Sequence, residues 1–95
     1  MDNQKTMIIT GASRGIGAAA ALIAARKGWS VCVNYASHPE KADEVVQSIQ
    51  EEGGTAIAIK ADVTNEDEVQ QLVDTAQDTL GPVPALINNA GIACA

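Results

Sequence analysis

The alternation of two hydrophobic patterns along the chain is the feature that most constrains its fold. Short apolar runs bounded by glycine, proline or polar residues occur four times, and each gap between them carries apolar residues at helical spacing. The first pattern is typical of strands buried on both faces, and the second of helices with one apolar stripe. The predicted strands are Met7–Thr10, Val31–Tyr35, Ala56–Lys60 and Ala85–Asn88. The sequence therefore predicts the element order β-α-β-α-β-α-β.

Three helices are predicted in the gaps between these strands. Their apolar stripes are Ile16, Ala19, Ala20 and Ile23; Ala42, Val45, Val46 and Ile49; and Val69, Leu72, Val73 and Ala76. Ser37 and Glu40 have the spacing of a capping box at the start of the second helix, with Pro39 in its first turn, and Thr64 with Asp67 repeats that spacing before the third. The predicted stops are Gly28, Gly53-Gly54 and Gly81-Pro82.

Strands that alternate with helices indicate an α/β fold with a parallel sheet. Right-handed crossovers then give the strand order 3-2-1-4, with a topological switch point between the first and fourth strands. This is the N-terminal half of a Rossmann-type doubly wound sheet, and we assign residues 1–95 to one dinucleotide-binding domain. One face of four strands would carry a single helix, so we expect uncovered apolar surface and the formation of a homo-oligomer.

The composition excludes several classes of protein. Apolar residues make up 46% of the 95 residues and charged residues 19%, which is ordinary for a globular domain. A net charge of −6 argues against binding to nucleic acid or to an anionic membrane surface. No apolar run reaches membrane-spanning length and the N-terminus does not resemble a signal peptide, so we expect a cytoplasmic protein. The two cysteines, Cys32 and Cys94, have no partners for a metal site.

Three glycines lie between the first predicted strand and the helix that follows it. Gly11, Gly15 and Gly17 allow a tight turn and the close approach of a bound group, and the free N–H groups of a helix's first turn favour a phosphate. Their spacing differs from G-x-G-x-x-G, so glycines used only for packing remain an alternative. The position between a strand and a helix favours the phosphate site.

The stretch Thr10–Gly17, TGASRGIG, resembles the T-G-x-x-x-G-I-G motif of the classical short-chain dehydrogenase/reductases. Asn88-Asn89-Ala90-Gly91 is similar to the N-N-A-G of that family after its fourth strand, and Asp62-Val63 follows the third strand, where the family commonly has an acid near the adenine. The resemblance implies a Rossmann fold, a nicotinamide dinucleotide cofactor, and hydride transfer to or from a carbonyl or alcohol.

The cofactor-binding residues that follow from the motifs and this resemblance are Gly11, Ser13, Arg14, Gly15, Ile16, Gly17, Asn34, Tyr35, Ser37, Asp62, Val63, Asn89, Ala90 and Gly91. After the second strand there is no acid before Glu40 to bind the ribose 2′-OH of NAD. Arg14 in the loop, with Ser37, His38 or Lys41 as further donors, favours NADP over NAD.

Each of these side chains also has a simpler interpretation. Arg14 can be a solvated loop cation, His38 a turn residue, and Asp62 an acid that precedes a helix. The amides of Asn88 and Asn89 can bind strand backbone instead of cofactor. Trp29 and Tyr35 are expected to pack rather than to stack on a base.

No catalytic residue is identified in the chain. The family supplies a Ser, a Tyr-x-x-x-Lys pair and an Asn beyond N-N-A-G, whereas the single tyrosine here, Tyr35, is followed by His38 and Pro39. Two hypotheses follow. The chain is the NADP-binding half of a short-chain oxidoreductase, which would take a small-molecule substrate only together with a catalytic half, or it is a complete non-catalytic module that binds a dinucleotide or oligomerises.

Overall fold

A computed structural model describes residues 5–11, 15–83 and 85–88 of the chain. The elements alternate as β1 (Thr6–Thr10), α1 (Gly15–Arg26), β2 (Ser30–Tyr35), α2 (Pro39–Glu51), β3 (Thr55–Lys60), α3 (Glu66–Leu80) and β4 (Ala85–Asn88). This alternation confirms the predicted α/β class. The first three strands each begin one residue before the predicted start, because Thr6, Ser30 and Thr55 pair in one row across the sheet.

The four strands form one parallel sheet in the order β3-β2-β1-β4. β1 is therefore central, with β2 on one side and β4 on the other. Thr10 at the end of β1 pairs with Asn88 at the end of β4. The carboxyl ends of neighbouring strands thus meet along one edge of the sheet.

Each face of the sheet has its own hydrophobic core. Ile9, Val31 and Val33 on one face pack with α1 and α2, chiefly through Ala21, Ala24, Ala42, Val45 and Ile49. Ile8 and Cys32 on the other face pack with Leu72 and Ala76 of α3. Neighbouring residues of a strand face opposite sides, so Ile8 and Ile9 serve different cores. Burial raises the pKa of the Cys32 thiol to about 12, as expected for an inert core cysteine.

The two predicted capping boxes are wrong. The N-cap of α2 is His38, whose side chain makes no capping hydrogen bond, so Ser37 lies outside the helix. Pro39 opens α2, and because proline has a fixed φ and no N–H, the helix starts there without a side-chain acceptor. The N-cap of α3 is Asn65, whose Oδ1 accepts from the backbone N–H groups of Asp67 (2.9 Å) and Glu68 (3.2 Å).

The predicted helix stops are confirmed at three glycines with positive φ: Gly28, Gly53 and Gly81. The end of α1 and the residue after α2 are joined by an exposed ion pair between Arg26 and Glu52. Arg26 Nε lies 2.8 Å from Glu52 Oε1, and Arg26 Nη2 lies 3.0 Å from Glu52 Oε2. None of the helices in the described part of the chain is long and apolar enough to cross a membrane.

Candidate functional site

The candidate site lies at the carboxyl edge of the sheet, where the strands lead into the loops before the helices. In open parallel sheets this edge binds ligands, above all at the point where the strand order reverses. Here that point lies between β1 and β4, since β1 continues through α1 to β2 on one side and pairs with β4 on the other. The glycine-rich turn follows β1 directly.

Gly11, the first residue after β1, has a conformation that other residues rarely adopt. Its φ is +63°, in the left-handed region, where a side chain costs roughly 1–2 kcal/mol. Within a few residues the backbone becomes helical at Gly15, and Gly17 is buried in the first turn of α1. α1 therefore begins four residues after Gly11, within reach of the carboxyl edge of the sheet.

The N-terminus of α1 differs in charge from the other two helix starts. The first turn of α1 contains no acidic residue, whereas α2 has Glu40 and α3 has Glu66, Asp67 and Glu68. Acidic side chains there interact favourably with the helix dipole and would repel a phosphate. Among the helices in the described part of the chain, α1 alone has no acid in its first turn to repel an external anion.

Asn34, near the end of β2, is buried and connects three strand ends. Its side chain is 2% exposed. Nδ2 donates to the carbonyl oxygens of Ile59 (3.3 Å) and Ala61 (3.2 Å), and Oδ1 accepts from the N–H of Gly11 (3.4 Å). This residue was predicted to contact the cofactor directly, and the structure places it beneath the edge, where it binds backbone.

The residues after Asn34 lead into an exposed turn. Tyr35 is half-buried and packs against the core under α1 and α2, and its carbonyl accepts from the N–H of Ala61 at 3.0 Å. Ala36, Ser37 and His38 are exposed. No carboxylate occurs among residues 34–39, and Glu40 is the first acid.

Asp62 and Val63 form the loop between β3 and α3. The Asp62 carboxylate is exposed, and its Oδ1 accepts from the Thr64 hydroxyl (2.6 Å) and the Thr64 N–H (3.0 Å). These two bonds hold the pKa of Asp62 below its ordinary value, so the group is ionised near neutral pH. The N–H of Asp62 donates to Oε1 of Glu68 at 2.8 Å, which ties the loop to the first turn of α3.

The remaining predicted site residues lie outside what the structure describes. Ser13 and Arg14 fall in the gap before α1, and Asn89, Ala90 and Gly91 follow β4. The backbone of Ile16 belongs to α1, but its side chain is also outside the description. Within the described ranges, no group of three His, Cys, Asp or Glu side chains is placed to hold a metal ion.

Two polar roles were missed in the sequence. Asn65 caps α3, and the signal for it was present, since an asparagine directly before a run of acids is a preferred N-cap. The linking role of Asn34 had no sequence signal, because its partners Ile59, Ala61 and Gly11 are more than 20 residues away and contribute only backbone atoms.

Comparison with known proteins identifies the family of this chain. Residues 5–95 match the sequence model of the family described as short chain dehydrogenase. The chain is 52% identical over 85 residues to a 3-oxoacyl-(acyl-carrier-protein) reductase of Synechocystis sp., covering 90% of this chain and 34% of that protein. It is 42% identical over 87 residues to glucose 1-dehydrogenase 2 of Bacillus subtilis, covering 92% of this chain and 34% of that protein.

A solved structure agrees with the sequence matches. A short chain dehydrogenase from Mycobacterium avium superposes with a TM-score of 0.85 at 39% identity, over 93% of this chain and 34% of that one. The chain spans about a third of the length of the relatives it matches. Because the family match covers residues 5–95, the resemblance seen in the motifs is confirmed: the chain belongs to the short-chain dehydrogenase family.

Proposed function

We propose that residues 1–95 are the dinucleotide-binding part of a short-chain oxidoreductase that acts on a carbonyl or alcohol, and that they bind NADP in preference to NAD. The observation that carries the proposal is the positive φ of Gly11, directly after β1 and shortly before α1, which among the described helices is the one without an acid in its first turn. Family membership makes a nicotinamide dinucleotide the anion to expect there.

The residues at the sheet edge fit such a cofactor. The pyrophosphate would lie against the turn after β1, where the glycines allow a close approach, and would accept hydrogen bonds from the N–H groups of the first turn of α1. The residues that would hold it are Gly11, Ser13, Gly15, Ile16 and Gly17. Asn89, Ala90 and Gly91 follow β4 in the sequence, and in this proposal they would complete the site beside β1.

The adenine end of the cofactor would lie over the ends of β2 and β3. Asp62 is ionised and exposed, so it can accept from the adenine amino group, with Val63 beside it. Tyr35 and Ser37 border the adenosine ribose in this proposal. When bound, the nicotinamide ring supplies or accepts the hydride. We assign no catalytic step to a side chain of these residues, since the sequence contains no Tyr-x-x-x-Lys pair.

The preference for NADP rests on the absence of an acid at the end of β2. A carboxylate at that place binds the 2′-OH of NAD and repels a 2′-phosphate. Ala36 and Ser37 are exposed there, and neither carries a charge. Arg14 is a candidate to neutralise the 2′-phosphate, and Ser37 can donate a hydrogen bond to it.

Replacing Ala36 with Asp tests this preference, with Ala36→Asn as the uncharged control of similar shape. Fluorescence titrations of the 95-residue chain with NADPH and NADH should show at least about tenfold weaker NADPH binding for the Asp variant, equivalent to about 1.4 kcal/mol, and stronger NADH binding. The Asn variant should keep the wild-type order. If the Asp variant still prefers NADPH as the wild type does, the account of the β2 end is wrong.

The alternative of a non-catalytic module makes the same prediction for binding, so activity must separate the two. We favour the oxidoreductase because the relatives matched over 90% or more of this chain are named reductases and dehydrogenases. The expected homo-oligomer and cytoplasmic location stay predictions.

A further inference from the structure

We infer that Asn34 is a positioning residue for the dinucleotide site: its amide fixes the turn at Gly11 against the loop that leads to Asp62. This inference rests on the proposed function, because it explains how the phosphate turn and the adenine loop keep their relative positions. Asn34 makes no direct contact with the cofactor in this account.

The hydrogen bonds of Asn34 reach beyond the sheet's own ladder. β1 ends at Thr10 and β3 at Lys60, so Gly11 and Ala61 are each the first residue after a strand. The Asn34 side chain accepts from the N–H of Gly11 and donates to the carbonyl of Ala61. β2 lies between β1 and β3 in the sheet. A side chain of β2 therefore joins two loop residues, one after each of its neighbouring strands.

Only a side chain with both a donor and an acceptor can make this connection. The partners are two carbonyl oxygens on β3 and its loop, and one N–H at the glycine turn. An aspartate has no proton to donate when ionised, and a leucine has neither group, whereas the asparagine amide supplies both. Burial strengthens the requirement, because a buried carbonyl that loses its hydrogen-bond partner destabilises the fold.

The neighbours of Asn34 argue that the polar group is there for this purpose. Val31, Cys32 and Val33, which precede it on β2, are fully buried and apolar. Asn34 has the parity of Cys32 along the strand, so it faces the α3 side of the sheet, where an apolar residue would serve the second core. Asn34 is the second-last residue of β2, close enough to the loops for its amide to reach Gly11 and Ala61.

The connection bears on binding because Gly11 is the first glycine of the phosphate turn and Ala61 directly precedes Asp62. If the Gly11 peptide shifts, the turn no longer delivers its N–H groups to one position, and correct placement of donors is what gives an anion site its affinity. The residue therefore acts on the cofactor through the backbone of two loops.

Two variants of the 95-residue chain test the inference. Asn34→Leu keeps the approximate size and removes every hydrogen bond of the side chain. Gln50→Leu is the matched control, since Gln50 also donates its side-chain amide to a β3 carbonyl, that of Ala56 at 3.4 Å, at the opposite end of the strand. NADPH affinity is measured at a temperature where both variants are folded, as judged by circular dichroism.

We expect the NADPH dissociation constant to rise about tenfold or more in Asn34→Leu, as for the loss of one or two hydrogen bonds, and to stay within about twofold of wild type in Gln50→Leu. The backbone amide resonance of Gly11 should also shift in Asn34→Leu and stay in place in Gln50→Leu. A purely structural role would lower stability without changing the affinity of the folded protein. Equal NADPH affinity in wild type and Asn34→Leu would overturn the inference.

A measurement on the wild type keeps the test decisive if Asn34→Leu does not fold. The side-chain NH₂ protons of Asn34 should exchange with solvent much more slowly than those of Asn65, which is exposed. Equal exchange rates would show that Asn34 does not hold the two loops. Failure of the wild type to bind NADPH would instead contradict the proposed function, and the exchange rates would then decide alone whether Asn34 links the loops.

Discussion

At the scale of single residues, hydrogen bonds between Asp62 and Thr64 set the conformation of the loop between β3 and α3. The Asp62 carboxylate accepts hydrogen bonds from both the hydroxyl and the backbone N–H of Thr64. This arrangement is typical of an aspartate at the start of a turn. The carboxylate is thereby oriented and its pKa lowered. The same bonds explain why Thr64 does not cap α3, since its hydroxyl is already engaged and Asn65 supplies the cap.

Thr64→Val removes the hydroxyl donor and keeps the shape of the side chain. We expect the pKa of Asp62, followed by NMR titration, to rise towards the ordinary value of an aspartate. Because the folded-state pKa is the lowered one, the stabilising effect is present above the unfolded-state pKa and is lost as pH falls through the folded-state pKa. The stability difference between wild type and variant should therefore shrink in acid.

Thr75→Val, at an exposed position of α3, is the control for this experiment and should leave the Asp62 titration unchanged. An unchanged pKa of Asp62 in Thr64→Val would show that the hydroxyl does not hold the carboxylate.

The residue scale is where sequence reasoning was weakest. Ser37 and Thr64 were predicted as caps from spacing alone, but the helix starts are set by Pro39 in one case and by the competition between Thr64 and Asn65 in the other. The predicted contact between Asn34 and the cofactor stays a prediction, and the structure describes the side chain in hydrogen bonds to backbone. Its hydrogen bonds to the backbone at the ends of β1 and β3 could not be predicted, because they depend on the register of β1, β2 and β3.

At the scale of the element, Gly54 sets how closely the end of α2 approaches the start of β3. A Cβ on Gly54 would lie 2.8 Å from Cγ2 of Ile49 and 3.2 Å from the Ile49 carbonyl oxygen. Ile49 is fully buried in the core under α1 and α2. The sequence predicted Gly53-Gly54 as a helix stop, and the structure separates their roles: Gly53 takes the positive φ, and Gly54 allows the close packing.

We therefore expect Gly54→Ala to destabilise the chain by about 1–3 kcal/mol, the usual cost of overpacking, measured as a lower midpoint of urea unfolding. Ile49→Leu removes the branch at Cβ, so the double variant should lose less stability than the sum of the two single variants. Strict additivity, or a Gly54→Ala variant as stable as wild type, would contradict this account of the packing.

The elements themselves were predictable because the physical signals are periodic and local. Val31–Val33 and the other apolar runs gave the strands, and stripes such as Val45 and Ile49 gave the helices. The strand starts were missed by one residue because Thr6, Ser30 and Thr55 are polar and join the sheet through backbone pairing, which side-chain pattern does not report.

For the whole molecule, local charge at the sheet edge matters more than the net charge. The chain carries −6 overall, which would repel an anionic cofactor at long range. The first turn of α2 carries one acid and that of α3 carries three, whereas the first turn of α1 carries none. The doubly wound topology places the start of α1 next to the switch point between β1 and β4, where the order of the strands reverses.

The apolar surface expected on the sheet face with a single helix stays a prediction, and the exposed apolar side chain that the structure describes lies on the other face, on α1. Ile23 on α1 is 52% exposed, the one large exposed hydrophobic side chain among the residues with described side chains. It lies near Met7, Ala24 and Trp29, around an open hollow of about 290 Å³. Fold and topology were within reach of sequence reasoning, whereas the exposure of this side chain follows only from the packed arrangement.

NADPH titration of Gly15→Val is the measurement that tests the central claim most directly. Gly15 opens α1 with a helical backbone, so valine fits the conformation there, and its β-branched side chain obstructs the approach of the pyrophosphate to the first turn. Ala19→Val, one turn later at an exposed position, is the matched control. We predict saturable NADPH binding by wild type and Ala19→Val and its loss in Gly15→Val; equal affinity in all three would contradict a phosphate site at this helix.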